Sequence, residues 1–268
     1  MSNKKILVLD IDGTLTNSKK KITKKTKMAI KKIQEQGHIV VIASGRPTAG
    51  IAKVADELEL DKRGGYILSY NGARITNWKT KEVIYQNTLN REILPELYEY
   101  ALDNNLGLVT YKDECVVTGT RHDAYMELEA KINGVPIRNV EDFPTYVDFE
   151  INKCLLTAPV ESAKQHEDHI AEMFSEANVC RSEPFFIEVM PQGVDKAASL
   201  NRLVKMLHMQ REDTICCGDG FNDLSMIRYA GIGVAMENAQ ELLKEEADFV
   251  TKSNDEDGIA HVVETFFA

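Results

Sequence analysis

The 268-residue chain lacks most marks of a membrane, secreted or nucleic-acid-binding protein. It holds no run near the ~20 uninterrupted apolar residues of a membrane-crossing helix. The first apolar run, Ile6-Leu7-Val8-Leu9, is cut short by Asp10, so no signal peptide is expected. Cysteine is scarce: Cys115, Cys154, Cys180, Cys216 and Cys217 are odd in number and show no C-x-x-C spacing. That excludes a disulfide scaffold and a thiolate zinc site, and fits a reducing, cytoplasmic setting. Basic excess is absent too. The 32 Lys+Arg against 42 Asp+Glu leave a net charge of −10, which repels a phosphate backbone and argues against a nucleic-acid partner. No internal repeat or low-complexity tract interrupts the chain. What remains is 43% hydrophobic and 28% charged, an ordinary globular composition at a length that can bury a core without staples.

Hydrophobic patterning divides the chain. Ile6–Leu9 and Ile39–Ile42 are short continuous apolar runs, the pattern of strands buried on both faces. Between them a helix is predicted from Thr23, a capping residue, with Ala29, Ile30 and Ile33 on one face and Gly37 at its stop. Pro47 suits a first helical turn, and Ile51, Val54, Ala55 and Leu58 form the stripe that follows. Tyr66-Ile67-Leu68 is a third strand, so a parallel sheet covered on both sides is expected. After Asn71-Gly72 the character changes. Residues 73–89 read as a hairpin, 91–104 as a helix delayed by Pro95, and strands then come in neighbouring pairs to about residue 190. This is the pattern of an antiparallel α+β module. The buried pattern returns with the helical stripe Leu200, Leu203, Val204, Leu207 and the strands Thr214–Cys217 and Ile232–Ala235.

Four segments carry chemistry. Asp10-Ile11-Asp12-Gly13-Thr14 lies at the carboxyl end of the first strand, the edge where open α/β sheets bind ligands. Ser44-Gly45-Arg46 follows the second strand and offers a hydroxyl and turn amides at a helix start, a natural anion site. Lys196 opens the helix after the inserted module, where the helix dipole alone would disfavour a cation. Gly218-Asp219-Gly220-Phe221-Asn222-Asp223 leaves the Thr214–Cys217 strand. All four are therefore expected to meet at one sheet edge.

In this order the set resembles the haloacid dehalogenase superfamily, and most of all its Cof-type phosphatases with a large inserted cap. The resemblance spans nearly the whole chain. It implies an α/β fold: a Rossmann-like parallel-sheet core over residues 1–84 and 190–268, with an inserted α+β cap over 85–189. It also implies that Asp10 attacks phosphorus and that Asp12 acts as general acid, then base. Mg²⁺ is expected on the Asp10 carboxylate, the Asp12 carbonyl and the Asp219 carboxylate, with Asp223 supporting them by hydrogen bonding. Ser44, Gly45, Arg46, Lys196 and Asn222 are the expected substrate-binding residues. The implied substrate is a small phosphorylated metabolite, either a sugar phosphate or a phosphorylated cofactor. A monomer or weak homodimer is expected. Dehalogenation is disfavoured, because it needs neither Asp12 nor the Asp219 motif. A phosphomannomutase-like phosphomutase and a non-catalytic phosphometabolite-binding protein are the rival readings.

Other features are read without special function. Eight lysines between Lys19 and Lys32 are taken as a solvated helix face and approach loop. His166 and His169 lack a third metal ligand nearby. Arg181 and Ser182 read as surface or hinge polarity, with contact to the substrate the alternative, and Cys216-Cys217 as packing beneath the site. Trp78 has no assignable role.

Overall fold

Fourteen strands organise the computed structural model, which describes residues 4–267. In chain order they are β1 (Ile6–Leu9), β2 (Ile39–Ala43), β3 (Tyr66–Ser69), β4 (Arg74–Asn77), β5 (Glu82–Gln86), β6 (Gly107–Lys112), β7 (Cys115–Thr118), β8 (Ile137–Asn139), β9 (Cys154–Thr157), β10 (Ala177–Glu183), β11 (Phe186–Pro191), β12 (Thr214–Gly218), β13 (Ile232–Ala235) and β14 (Phe249–Val250). The chain forms two compact units. One contains residues 1–45, 51–85 and 195–268, and the other residues 46–50 and 86–194.

The first unit holds an eight-stranded sheet in the order β14-β13-β12-β1-β2-β3-β4-β5. Strands from β14 to β3 are parallel, and β4 returns antiparallel to β3. This is the α/β class expected from the buried apolar runs. β1 lies between β12 and β2, with Leu9 opposite both Cys217 and Ile42. The chain leaves β1 toward one side of the sheet and later returns on the other. Such a switch point opens a crevice at the carboxyl ends of the strands. Asp10 emerges from β1 there, Ser44 from β2 and Asp219 from β12.

Local chemistry sets the helix ends. Thr23 caps the helix Lys24–Glu35 by accepting from the Thr26 N–H, and Ile30 and Ile33 bury its inner face. Gly37 then turns the chain at φ +88°, a conformation that favours glycine, and delivers it to β2. The helix Thr48–Glu57 begins directly after Pro47. The expected hairpin is β4 and β5, which extend the core sheet at one edge. Trp78 follows β4 and acquires a packing role: it is buried, its indole N–H donates to Asp56 at 2.7 Å, and the Lys81 ammonium lies 3.3 Å from its ring centre.

The second unit is an α+β module around a six-stranded sheet in the order β10-β11-β9-β6-β7-β8, antiparallel except for β7 with β8. Leu97 and Ala101, from the helix Leu94–Asp103, share one apolar cluster with Ile170 from the helix Val160–Met173. Met126 and Ala130, on the helix Ala124–Asn133, pack with Val109 and Leu155 in a separate cluster. Pro95 sits in the first turn of its helix, and a single 3-10 turn over Arg91–Ile93 precedes it. Strand β11 runs on to Pro191, past the point where the apolar pattern suggested a return to the core. Among the described residues, no helix is long and apolar enough to cross a membrane.

Candidate active site

Asp10 anchors the site. Its backbone N–H donates to the Cys217 carbonyl at 3.1 Å, continuing the β1–β12 pairing one residue beyond the strand. Its Oδ1 accepts from the Lys196 ammonium at 2.8 Å. Lys196 opens the helix Lys196–Met206, whose N-cap Asp195 accepts from the Ala198 N–H. The same ammonium donates to Asp223 Oδ1 at 2.6 Å. Lys196 is only 1% exposed and Asp223 is fully buried, so the contact is made away from bulk water.

Asp223 is committed on both oxygens. Its Oδ2 accepts from the backbone N–H groups of Asp219 (3.0 Å) and Gly220 (3.1 Å), which folds the loop after β12 around it. Asp219 is held in turn by the Thr14 hydroxyl, which donates to its Oδ1 at 2.7 Å. Gly13 makes that approach possible. It has φ +82°, and a Cβ at that position would fall 2.2 Å from Asp219 Oδ2. The Asn238 amide donates to the Gly13 carbonyl at 2.8 Å and fastens the turn from outside.

The charges explain one another. Burial raises the Asp10 carboxyl to about 7, Asp223 adds to the rise, and Lys196 opposes it. Burial likewise lifts Asp219 to about 6, against the pull of the Thr14 hydrogen bond. Burial alone would lower Lys196, but Asp10 and Asp223 outweigh it and hold the ammonium charged above the usual lysine range. Asp10 and Asp223 thus share one cation, with Asp219 close by.

This arrangement fits a hard divalent cation. Oxygens of Asp10, Asp219 and Asp223 lie within 4.8 Å of one another. All are carboxylate donors, the type that magnesium prefers. Because Asp223 is engaged by lysine and backbone, Asp10 and Asp219 are the better-suited ligands. A second positive charge would offset the burial, and the lesser repulsion between acids, that push both of them upward.

The remaining sequence-predicted residues separate into groups. Ser44 is buried at the end of β2, with its N–H donating to Leu68 and its carbonyl accepting from the Asn71 N–H, both at 2.9 Å. Gly45 faces the Asn71 side chain, which a Cβ there would meet at 3.2 Å. The Asn222 amide donates to Asn71 Oδ1 at 3.2 Å. Asp12 accepts from the Lys20 ammonium at 2.8 Å. Arg46 falls with the inserted unit, and its guanidinium donates to the carbonyls of Gly50 (3.4 Å) and Ile132 (3.1 Å).

Sequence reasoning overlooked three contributors. Thr14 belongs to the Asp10–Thr14 motif, but its hydroxyl was given no role. Asn71 was visible only as half of a turn dipeptide, although its φ of 54° marks a residue held in a left-handed conformation. Lys20 carries no signal that separates it from the seven other lysines around it. Cys216 and Cys217 are fully buried, and burial pushes both thiols well above the usual range, as packing residues require.

Comparison with known proteins agrees with this geometry. The haloacid dehalogenase-like hydrolase family matches residues 7–263. A solved haloacid dehalogenase-like hydrolase from Bacteroides thetaiotaomicron shares 47% of its residues with this chain, at a TM-score of 0.95, covering 98% of this chain and 100% of that one. A Bacillus subtilis protein with a provisional phosphatase name, YxeH, is 31% identical over 263 residues, 97% of each chain. The structure of a HAD subclass IIB sugar phosphatase matches with a TM-score of 0.82 at 26% identity, covering 98% of this chain and 99% of that one.

Proposed function

This chain belongs to the haloacid dehalogenase-like hydrolases and is a phosphatase, and we propose that it hydrolyses a small phosphorylated metabolite of the sugar-phosphate class with Asp10 as nucleophile. The observation that carries the reading is the buried Lys196 ammonium, bonded to both Asp10 and Asp223 where β1 ends. The similarity to a sugar phosphatase favours that substrate class. A phosphorylated cofactor presents the same ester chemistry, and a substrate panel separates the two.

The side chains divide the work. Lys196 holds Asp10 with one of its three N–H donors and Asp223 with another, so a third can meet a phosphoryl oxygen. The Ser44 hydroxyl and the Asn222 amide would orient the same group. An Asp10 oxygen bonds to phosphorus as the ester P–O bond breaks, and Asp12 gives its proton to the departing oxygen. Asp12 then takes a proton from water, whose oxygen bonds to phosphorus as the Asp10–phosphorus link breaks. The Asp10 carboxylate is restored and phosphate leaves. Asp10, Asp219 and the Asp12 carbonyl would hold Mg²⁺, which when bound would supply positive charge to let a phosphate dianion approach these acids.

The test is phosphate release from sugar phosphates, nucleotides and phosphorylated cofactors, with Mg²⁺ and with EDTA, beside Asp10→Asn. The expected result is Mg²⁺-dependent release, fastest on sugar phosphates and lost in the variant. No release from any ester by folded, metal-loaded protein would sink the reading. Bisphosphate-dependent interconversion without release would replace it with a mutase.

A further inference from the structure

The segment between the Asp10–Thr14 motif and the first helix is built more firmly than an approach loop needs to be. Thr16 donates from both N–H and hydroxyl to the Ile11 carbonyl, each at 2.9 Å. Asn17 closes the next turn on itself. Its Oδ1 accepts from the N–H groups of Lys19 (3.0 Å) and Lys21 (3.1 Å), its carbonyl accepts from Lys20 N–H at 2.8 Å, and its own N–H donates to Lys21 at 3.0 Å. The C-terminal region ties the loop down as well. Asp255 accepts from Ser18 N–H at 2.9 Å, and the Asn254 amide donates to the Thr16 carbonyl at 2.9 Å.

At the tip of this turn Lys20 takes φ 56°, a left-handed conformation that is uncommon for a lysine. The turn aims its ammonium at Asp12 Oδ1, 2.8 Å away. The other lysines of the run behave as surface cations do: Lys25 meets Glu264 and Lys27 meets Glu57. Among the described residues, Lys20 is the one lysine of the run paired with a carboxylate of the site. The pair is open to water, with Lys20 66% and Asp12 37% exposed, and such pairs add little to folding stability. The turn thus holds a contact of small stabilising value on a carboxylate of the proposed site.

We propose that Lys20 is a positioning residue for the proton-transfer steps, holding Asp12 Oδ1 so that the carboxyl meets the departing oxygen. The proposal rests on the phosphatase reading above. In the first displacement the proton passes from Asp12 to the alkoxide as the ester bond breaks. In the second, Asp12 takes one back from water. Lys20 exchanges nothing and fixes where the transfer occurs. Its contribution therefore depends on how much the leaving oxygen needs a proton. An alkoxide needs one, whereas p-nitrophenolate leaves readily without one.

The experiment compares wild type, Lys20→Met, Lys20→Arg and the neighbouring control Lys21→Met on two substrates. One is p-nitrophenyl phosphate, and the other is the hexose or pentose phosphate that wild type hydrolyses fastest. Lys20→Met is expected to lose about tenfold in kcat on the sugar phosphate, with KM within about twofold. On p-nitrophenyl phosphate it should stay within about twofold of wild type. Lys20→Arg should recover most of the loss, and Lys21→Met should match wild type. Unchanged melting temperatures would show that all four proteins fold alike. Equal losses on both substrates, a change confined to KM, or no loss on either would each overturn the proposal. Failure of wild type on both substrates would sink the phosphatase reading first, before any variant is compared.

Discussion

Lys196 and Asp223 meet at 2.6 Å with their side chains 0% and 1% exposed, and this pair ties the loop after β12 to the start of the helix Lys196–Met206. Because Asp223 also accepts from Asp219 and Gly220 N–H, one carboxylate fixes the lysine, the loop and its neighbouring acid together. Replacing Lys196 with methionine would strand two buried carboxylates, Asp10 and Asp223, without their counter-charge. Loss of one partner from such a group costs about 3–5 kcal/mol. Calorimetry of Lys196→Met should show this as a melting temperature lowered by several degrees, with activity lost.

The same crowding sets a pH dependence. With Asp10 raised to about 7 and Asp219 to about 6, the metal-free native state holds protons that the unfolded chain has released by about pH 4. The native state binds the excess, so stability falls as pH rises through the window from 4 to 7. Mg²⁺ competes with those protons. The increase in melting temperature on adding Mg²⁺ should therefore be larger at pH 8 than at pH 5. In EDTA, Asp10→Asn should flatten the decline, because the substituted amide has no charge to bury. A metal-induced shift that is equal at both pH values would contradict the shared-charge account.

Gly13 gives a sharper test of geometry. An alanine there would bear φ +82° and press its Cβ to 2.2 Å from Asp219 Oδ2. The side chain of Asp219 must then move, and Thr14 with it. A displacement of about 1 Å in a reacting constellation can cost about a hundredfold in rate. Gly13→Ala should lose activity on that scale and bind Mg²⁺ more weakly, which titration calorimetry can measure.

Much of this arrangement is legible in sequence because strand ends announce themselves. The runs of β1 and β2 are wholly apolar, that of β12 is so after Thr214, and they stop at Asp10, Ser44 and the Asp219 loop, so the sheet edge and its acids can be read together. Strand β8 has three residues and the helix Phe143–Tyr146 four, too short for any periodicity to appear. Strand β14 has two, and its place is set by pairing with β13. Side-chain partners are harder still. Arg46 follows Ser44 and Gly45, and nothing local announces that its guanidinium also donates to the Ile132 carbonyl, 86 residues away. Lys20 is one cation in a run of eight until the turn made by Asn17 aims it.

Thiol chemistry tests the core beneath the site. Burial pushes Cys154 up to about 12, and burial with the nearby Glu188 pushes Cys180 to about 11. Cys216 and Cys217 are fully enclosed. At pH 8 the native protein should react with an aromatic disulfide reagent first at the half-buried Cys115, at least about a hundredfold faster than at Cys216 or Cys217. All five should react once denaturant is added. Rapid native modification of Cys217 would mean that the floor of the site opens.

Asn71 separates backbone from side chain in the anion loop. It sits at φ 54°, donates its N–H to Ser44, and accepts from the Asn222 amide across 151 residues of sequence. Glycine at this position keeps the left-handed turn and loses only the amide, whereas alanine loses the amide and pays a left-handed penalty of about 1 kcal/mol. If Asn71 orients Asn222, both variants should lose activity by a similar factor, on the order of tenfold, and only Asn71→Ala should melt lower. If the residue serves the turn alone, Asn71→Gly should keep wild-type turnover. Phosphate-release rates beside melting curves for the two variants decide between these outcomes, because the shared loss in rate isolates the amide and the unshared loss in stability isolates the backbone.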